Sequence, residues 1–424
     1  MRARLVIAFL VLFLTGCDST INLKDPNDSY FLKFYGGDGD QTGDDFVVLP
    51  DGSFILFGTT KPSGTEKTRQ WYLVKTDAKG NVVWERTYGG PNDDEARDIE
   101  LTNDNRLVLV GNTYKSVTDR DVKIMTLTMD GARIDSAVVP IVTYTTKIDP
   151  FGDEDVSTVS LTSDGFIVAG STTATIVKPN PVASDLRDAF HLRFSNSLVQ
   201  FPDSWGKTTG PGTFDAAAKV IQVSTTQFYL FGYSNKVYNG SFNYWIFGLG
   251  EFGDPNGGEL IIGDITDEKL SSVSAVPPAS GDGYVLGGLT TNATGASDIY
   301  AVRLPKIPTN NYIFQKPLSI KLGSNLPINT SVSPAGTTGF YILANENGFN
   351  NNQNWILTKV GLDGSTAWTS PIVFGGEGLD FSGAVQELPG DKIALIGTMR
   401  TGKPDVGELK MTLIKVNQDG KLAN

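Results

Sequence analysis

A chain of 424 residues with 47 glycines, 19% charged residues and 10% aromatics is too apolar for a disordered polymer and too long for one small core. It is therefore two or three ordinary domains, or one large array of small repeated units. The formal net charge of −12, with no Lys/Arg cluster interleaved with aromatics, argues against nucleic acid as a partner. One cysteine and one histidine leave no zinc ligand set and no disulfide.

In chain order, Arg2 and Arg4 precede an apolar run of ten residues, Leu5–Leu14, too short to cross a bilayer. The run ends in Leu14, Thr15, Gly16 and Cys17. This resembles the lipobox of bacterial lipoproteins, whose cysteine is diacylated and becomes the mature N-terminus. The competing reading is an ordinary secretory signal with an incidental cysteine. The lone cysteine stands where the small-residue cleavage site belongs, which favours the lipobox. The resemblance implies a signal peptide over residues 1–16, lipid attachment at Cys17, and an acylated polar tether over residues 17–29. Loss of Arg2 and Arg4 would leave 33 cations against 47 anions, a net of −14. The expected address is the bacterial cell envelope, lipid-anchored at the outer membrane, with neither leaflet singled out. Asp18 after the lipidated position would favour inner-membrane retention in enteric bacteria but not in other lineages.

From Tyr30 onward one unit recurs. Tyr35–Thr60, Tyr88–Thr113 and Phe374–Met399 align without gaps. Each opens on an aromatic residue and two glycines, crosses a loop, and forms a strand, a tight Asp/Asn/Gly turn and an apolar return strand. That is a hairpin signal. The return strands end at Gly58, Gly111, Gly170, Gly232, Gly288, Ala344 and Gly397, at spacings of 53, 59, 62, 56, 56 and 53. A second half-unit carries apolar strands such as Trp71–Lys75, Trp355–Lys359 and Met411–Lys415, several running into an Asp-Gly type turn. Four short strands per unit, no helical periodicity and a period near 56 predict an all-β, seven-bladed β-propeller of four-stranded antiparallel blades over residues 30–424. The C-terminus stops after the Asp419–Gly420 turn, and the N-terminus begins with the strand that normally follows such a turn. One blade is thus expected to be split between the two ends, closing a monomeric ring and removing its open edge.

The Asp77, Gly80, Trp84 spacing resembles the tryptophan-docking motif of quinoprotein-like propellers, and Asp363, Gly364, Trp368 is a near variant. The resemblance implies that each Trp packs between neighbouring blades. The fuller pattern from Trp71 through Tyr88, Gly89 and Gly90 resembles a large group of uncharacterised bacterial secreted and lipoprotein propellers. With the single cysteine already assigned to lipid, no quinone cofactor is expected, nor any other cofactor.

Chemistry is sparse. His191 alternates with Phe190 and Leu192 on a strand, which favours a structural role over a catalytic base. There is no nucleophile elbow and no phosphate-cradling glycine loop. Three acidic loops (Asp38, Asp40, Asp44 and Asp45; Asp93, Asp94, Glu95 and Asp98; Asp153, Glu154 and Asp155) invite calcium or paired-carboxylate readings. None matches a calcium-loop spacing, so a solvated rim with turn-capping aspartates is expected. Long connections at 59–70, 112–121, 171–188, 233–243, 289–298, 345–354 and 398–408 all belong to the face carrying the blade-to-blade loops. They bear Tyr114, Tyr233, Tyr238, Phe242 and Phe349, a mixture suited to protein or glycan contact. The expectation is a non-enzymatic binding or scaffolding propeller, held by its lipid and presenting one loop-rich face to an envelope protein complex or glycan. The alternative is a carbohydrate-active enzyme using acidic loop residues near the central channel.

Overall fold

The computed structural model describes residues 30–422 apart from 65–67, 118, 140–152, 174–186, 202–206, 210–212, 238–239, 325–328, 348–351 and 403–406; the signal-peptide and lipid-attachment readings, Cys17 included, lie outside them. Among these described residues, 29 strands, numbered β1–β29 along the chain, form seven antiparallel sheets. The innermost strand of each is β3 (Asp45–Val48), β7 (Asp94–Leu101), β11 (Glu154–Leu161), β15 (Asp215–Ser224), β19 (Asp267–Ala275), β23 (Thr330–Ala335) or β27 (Phe381–Leu388). These define blades one to seven of a propeller. The split blade is as expected: β1 (Phe31–Tyr35) is the outer strand of blade seven, antiparallel to β29 (Leu409–Asn417), with Phe31 opposite Lys415 and Tyr35 opposite Met411.

The apolar side chains are buried between the blades. Each of seven hydrophobic clusters is drawn from two adjacent sheets, and together they fill every seam, including that between blades seven and one. A strand covered on both faces reads as a continuous apolar run, as in Trp71–Val74, all four of them buried. Trp84 packs against the cluster between blades one and two, and Trp368 against that between blades six and seven, its ring 6.1 Å from Tyr341. The docking role implied for both is what they perform.

The recurring glycine has a steric cause. In blades two to five and seven the innermost strand carries a β-bulge, at Arg97, Ser157, Ala218, Ser271 and Gly383–Ala384 respectively. Blade one breaks its ladder at the same place, between Gln41 and Asp45. The bulge pushes a carbonyl toward the second strand, and a Cβ on Gly111 would overlap the Glu95 carbonyl oxygen while sitting 3.1 Å from the Trp71 ring. Blade six pairs without a register shift, Thr330 opposite Ala344. It is also the one blade whose glycine is replaced by alanine. The residue after the glycine then stitches the next blade on. Thr59 Oγ1 accepts from Ala96 N at 2.9 Å, Asn345 Oδ1 from Ser382 N at 2.7 Å, and Thr398 Oγ1 from Gly43 N at 3.1 Å.

Two of the expected long loops are largely strand. The ladder of blade two continues through Ser116 opposite Asp119, and that of blade five through Thr291 opposite Ser297. Hydrogen-bond pairing extends across residues whose polar composition suggested loop. Replacing Gly111 by Ala is expected to cost about 3 kcal/mol through overpacking, whereas Ala344→Gly should cost less than about 1 kcal/mol; urea denaturation of both variants checks the contrast.

Candidate functional site

The seven innermost strands enclose a central channel of about 420 Å³. A bulge adds one residue to a strand and so reverses its inside–outside alternation. Ala96 and Ile99 therefore both face the seam between blades one and two, and Asp98 turns to the channel. The residue after the bulge, together with its equivalents in blades one, six and seven, forms a ring of Asp45, Asp98, Thr158, Lys219, Ser272, Ser331 and Ala384.

Four members of the ring accept a hydrogen bond from a backbone N–H of the following blade. Asp45 Oδ2 takes Ile99 N at 3.2 Å, Asp98 Oδ2 takes Val159 N at 2.8 Å, Ser272 Oγ takes Val332 N at 3.1 Å, and Ser331 Oγ takes Val385 N at 3.1 Å. A serine hydroxyl is thus sufficient for the joint, and the acids of blades one and two add charge that docking does not require. Lys219, unable to accept, donates instead to Val159 O at 2.9 Å and lies 3.6 Å from Asp98 Oδ2 and 3.4 Å from Glu100 Oε1.

Burial and the Asp98 charge raise Asp45 well above the usual carboxylate range, so it keeps its proton. Burial would raise Asp98 too. The Lys219 charge and hydrogen bonds from Asp45, Thr158 and Val159 outweigh it and hold Asp98 low. Burial raises Glu100 against the pull of Lys219. Lys219 itself stays charged because Asp98, Glu100 and Asp45 overcome its desolvation. The result is a protonated–ionised carboxyl pair clamped to an ammonium, with every member bonded to another. Expectation and structure differ here: Asp45 and Asp98 line the channel, and Asp94 and Glu154 are buried in the seams, so these acids are not a solvated rim.

Above the ring, on the loop-rich face, the channel opens into a mouth of about 470 Å³ lined by Asp44, Arg97, Asp155, Ser157, Tyr233, Ser271 and Asn329. Arg97, Ser157 and Ser271 are bulge residues, re-aimed into the opening. Burial lifts Asp44 to about 6, with Arg97 and the Thr42 hydroxyl opposing. A ledge of alternating charge runs outward. Arg97 lies 3.2 Å from Glu95 Oε2 and 3.6 Å from Asp155 Oδ1, Arg69 pairs with Glu95 and Asp93, and Asp153 is shared by Arg120 and Arg187.

Of the aromatics expected on this face, Tyr114 lies between Arg69 and Arg120, 4.8 and 6.0 Å from its ring, and donates to Glu95 Oε2 at 2.6 Å. Tyr233 and Phe242 form a trio with Phe214, at centroid distances of 5.2 to 6.1 Å, and Lys269 Nζ sits 4.3 Å over Phe242. Tyr238 and Phe349 lie outside the described residues. His191 is fully buried, its Nε2 3.1 Å from Gly253 O, in the structural role expected of it. Local composition does not mark Arg97, Lys219, Ser271 or Asn329 as site residues. For Arg97, Lys219 and Ser271 the signal is an apolar pair spaced i, i+3 inside a strand (Ala96 and Ile99, Ala217 and Val220, Leu270 and Val273), opposite a strand-ending glycine; Asn329, in the unbulged blade six, carries none.

A further set of acids lies in the seams. Burial pushes Glu154 up to about 8, helped by the Asp121 charge, and burial with the Asp215 charge pushes Asp188 up to about 7.

No family model matches the chain, and no curated protein matches it. Solved structures do. The periplasmic gluconolactonase of Pseudomonas aeruginosa superposes with TM-score 0.51 at 12% identity, over 81% of this chain and 95% of that one. A puromycin hydrolase variant gives 0.51 at 10% identity over 89% of this chain, which spans about half (52%) of that protein. A Dyadobacter fermentans protein of unknown function gives 0.48 at 9% identity, covering 92% and 98%. At these identities the first two likenesses show the β-propeller fold and nothing of activity.

Replacing Lys219 with Met is expected to cost about 3 kcal/mol, because Asp98 is left buried without its counter-charge. Asp98→Asn in the same chain should recover part of that loss, as read from a double-mutant cycle in urea. The raised seam acids set a pH dependence. Between their unfolded values near 4 and folded values near 7 to 8 the native state holds more protons on these two groups, so their contribution to stability is complete below about pH 4 and is lost as pH rises through the folded values. The urea midpoint should drop from pH 5 to pH 8, and Glu154→Gln with Asp188→Asn should flatten that slope.

Proposed function

We propose that the chain is a lipid-anchored, non-enzymatic binding or scaffolding propeller of the bacterial cell envelope, taking a protein partner at its loop-rich face. The observation that carries this is the mouth of about 470 Å³ continuous with the Arg–Tyr–Arg ledge. Arginine and tyrosine held in place by neighbours are the side chains that dominate protein interfaces, since little rotamer freedom is lost when they are covered. Asn329, Ser157 and Ser271 supply neutral donors and acceptors at the opening. A protein is favoured over a glycan by this charged ledge.

The carbohydrate-active alternative draws less support. Its two acids would need to flank a glycosidic bond roughly 5–9 Å apart, whereas Asp45 and Asp98 are hydrogen-bonded to each other and to the backbone of the next blade. Lipid anchorage rests on the Leu14–Cys17 pattern.

Affinity purification of the full chain from its native membrane is expected to recover a stoichiometric protein partner, and Tyr114→Ala combined with Arg97→Ala should lower recovery about tenfold. Incubation with envelope polysaccharides should release no product. Turnover that persists in the double variant would instead favour the enzyme.

A further inference from the structure

The direction of β1 fixes where the tether leaves the ring. β29 runs from the loop-rich face at Leu409 to the opposite, plain face at Asn417, and β1 is antiparallel to it. Phe31 therefore starts at the plain face, opposite Lys415, and Tyr35 ends at the loop-rich face. Tyr30, the first described residue, stands at the rim of the plain face.

That rim is studded with exposed apolar side chains. They sit at or just after the turn into the outer strand in six blades: Val83, Ile134, Val199, Phe252, Ile307 and Leu422. Val199, Phe252 and Ile307 are 64%, 61% and 67% exposed, although Leu198 beside Val199 packs against a seam. Blade-to-blade packing does not use them, since none belongs to a seam cluster. Toward the loop-rich face the exposed large hydrophobic residues among those described are Val117, Ile265 and Leu379 in connections and Phe34, Val138 and Val373 near the ends of outer strands, six against nine toward the plain face once Leu32, Val82 and Ile313 are added to those above.

We infer that the plain face is the membrane-facing side of the anchored ring, with these rim side chains entering the headgroup layer of a zwitterionic phospholipid bilayer and the mouth of the channel turned away from it. This rests on the lipid-anchor reading above. The 12 residues between Cys17 and Tyr30 extend no farther than about 40 Å, so an acylated Cys17 keeps the plain rim within one domain diameter of the surface. Apolar side chains distributed around the circumference steady the disc against tilting more effectively than one central patch would, because each acts at the greatest lever arm. The carboxylates of Asp51, Asp77, Asp130, Asp282 and Asp363 stand in turns of the same face. Each lies beside a cation (Lys75, Lys33, Arg86, Lys306 and Lys316 respectively), so the paired charges give no preference for anionic lipid and suit a zwitterionic surface.

The test uses the full acylated chain reconstituted into phosphatidylcholine–phosphatidylethanolamine vesicles. Once Cys17 carries lipid, Phe252→Cys or Val117→Cys supplies the one free thiol for an environment-sensitive fluorophore, and the vesicles contain a headgroup-region spin-labelled phospholipid. The label at 252 is expected to lose roughly half of its emission while that at 117 is nearly unaffected. Equal quenching at both sites, or stronger quenching at 117, overturns the orientation while leaving the anchor intact. Mass spectrometry of the Cys17 peptide reports the anchor separately: if no acyl mass is present, the anchor reading fails and the orientation with it. A third variant, Ile307→Ser in the Phe252→Cys chain, should reduce quenching at 252 without changing the acyl mass. Unchanged quenching would show that the rim side chains do not enter the bilayer.

Discussion

The collision between a bulged carbonyl and the neighbouring strand governs this molecule. Wherever the innermost strand bulges, the strand beside it must present hydrogen in place of a methyl group, and glycine is the residue that does so. In return the bulge reverses the alternation of the inner strand halfway along. Its upper half feeds the mouth, its lower half the ring and the seams. Blade six, with its regular ladder and its alanine, shows the rule from the other side.

The same constraint explains what could be read without coordinates and what could not. The glycine spacing, the closure of the ring through Tyr30–Tyr35 and the docking of Trp84 and Trp368 were legible, because each is a repeated local pattern tied to one steric or hydrophobic requirement. Arg97 and Lys219 were not. Each is the solitary cation of its strand, and simple alternation places Asp98 on the same face as Ala96, inside the seam. Only the extra residue at position 97 turns it outward. The acidic loops mislead for a related reason. Local composition marks them as polar, but Asp94 and Glu154 open the innermost strands, where the preceding blade covers them.

Internal repetition supplies its own controls for function. Where Ser272 and Ser331 join blades with a hydroxyl, Asp45 and Asp98 do so with carboxyls, and Lys219 with an ammonium. Charge is concentrated on blades one, two and four and thins out toward blades five to seven. The Arg–Tyr–Arg ledge lies over the same half of the ring. An asymmetric surface on a symmetric scaffold gives a partner one way to sit.

The split blade bears on how the protein comes into being. Phe31 and Lys415 pair across 384 residues, whereas the hairpins of the other blades join neighbours in sequence. Six blades can mature from local contacts while the seventh waits for both chain ends, which makes circle completion the step of highest contact order and the natural rate limit. Until then the free margin of β29 is open to any extended strand, a second molecule's β1 included, so crowding of nascent chains favours exchange of that strand between copies.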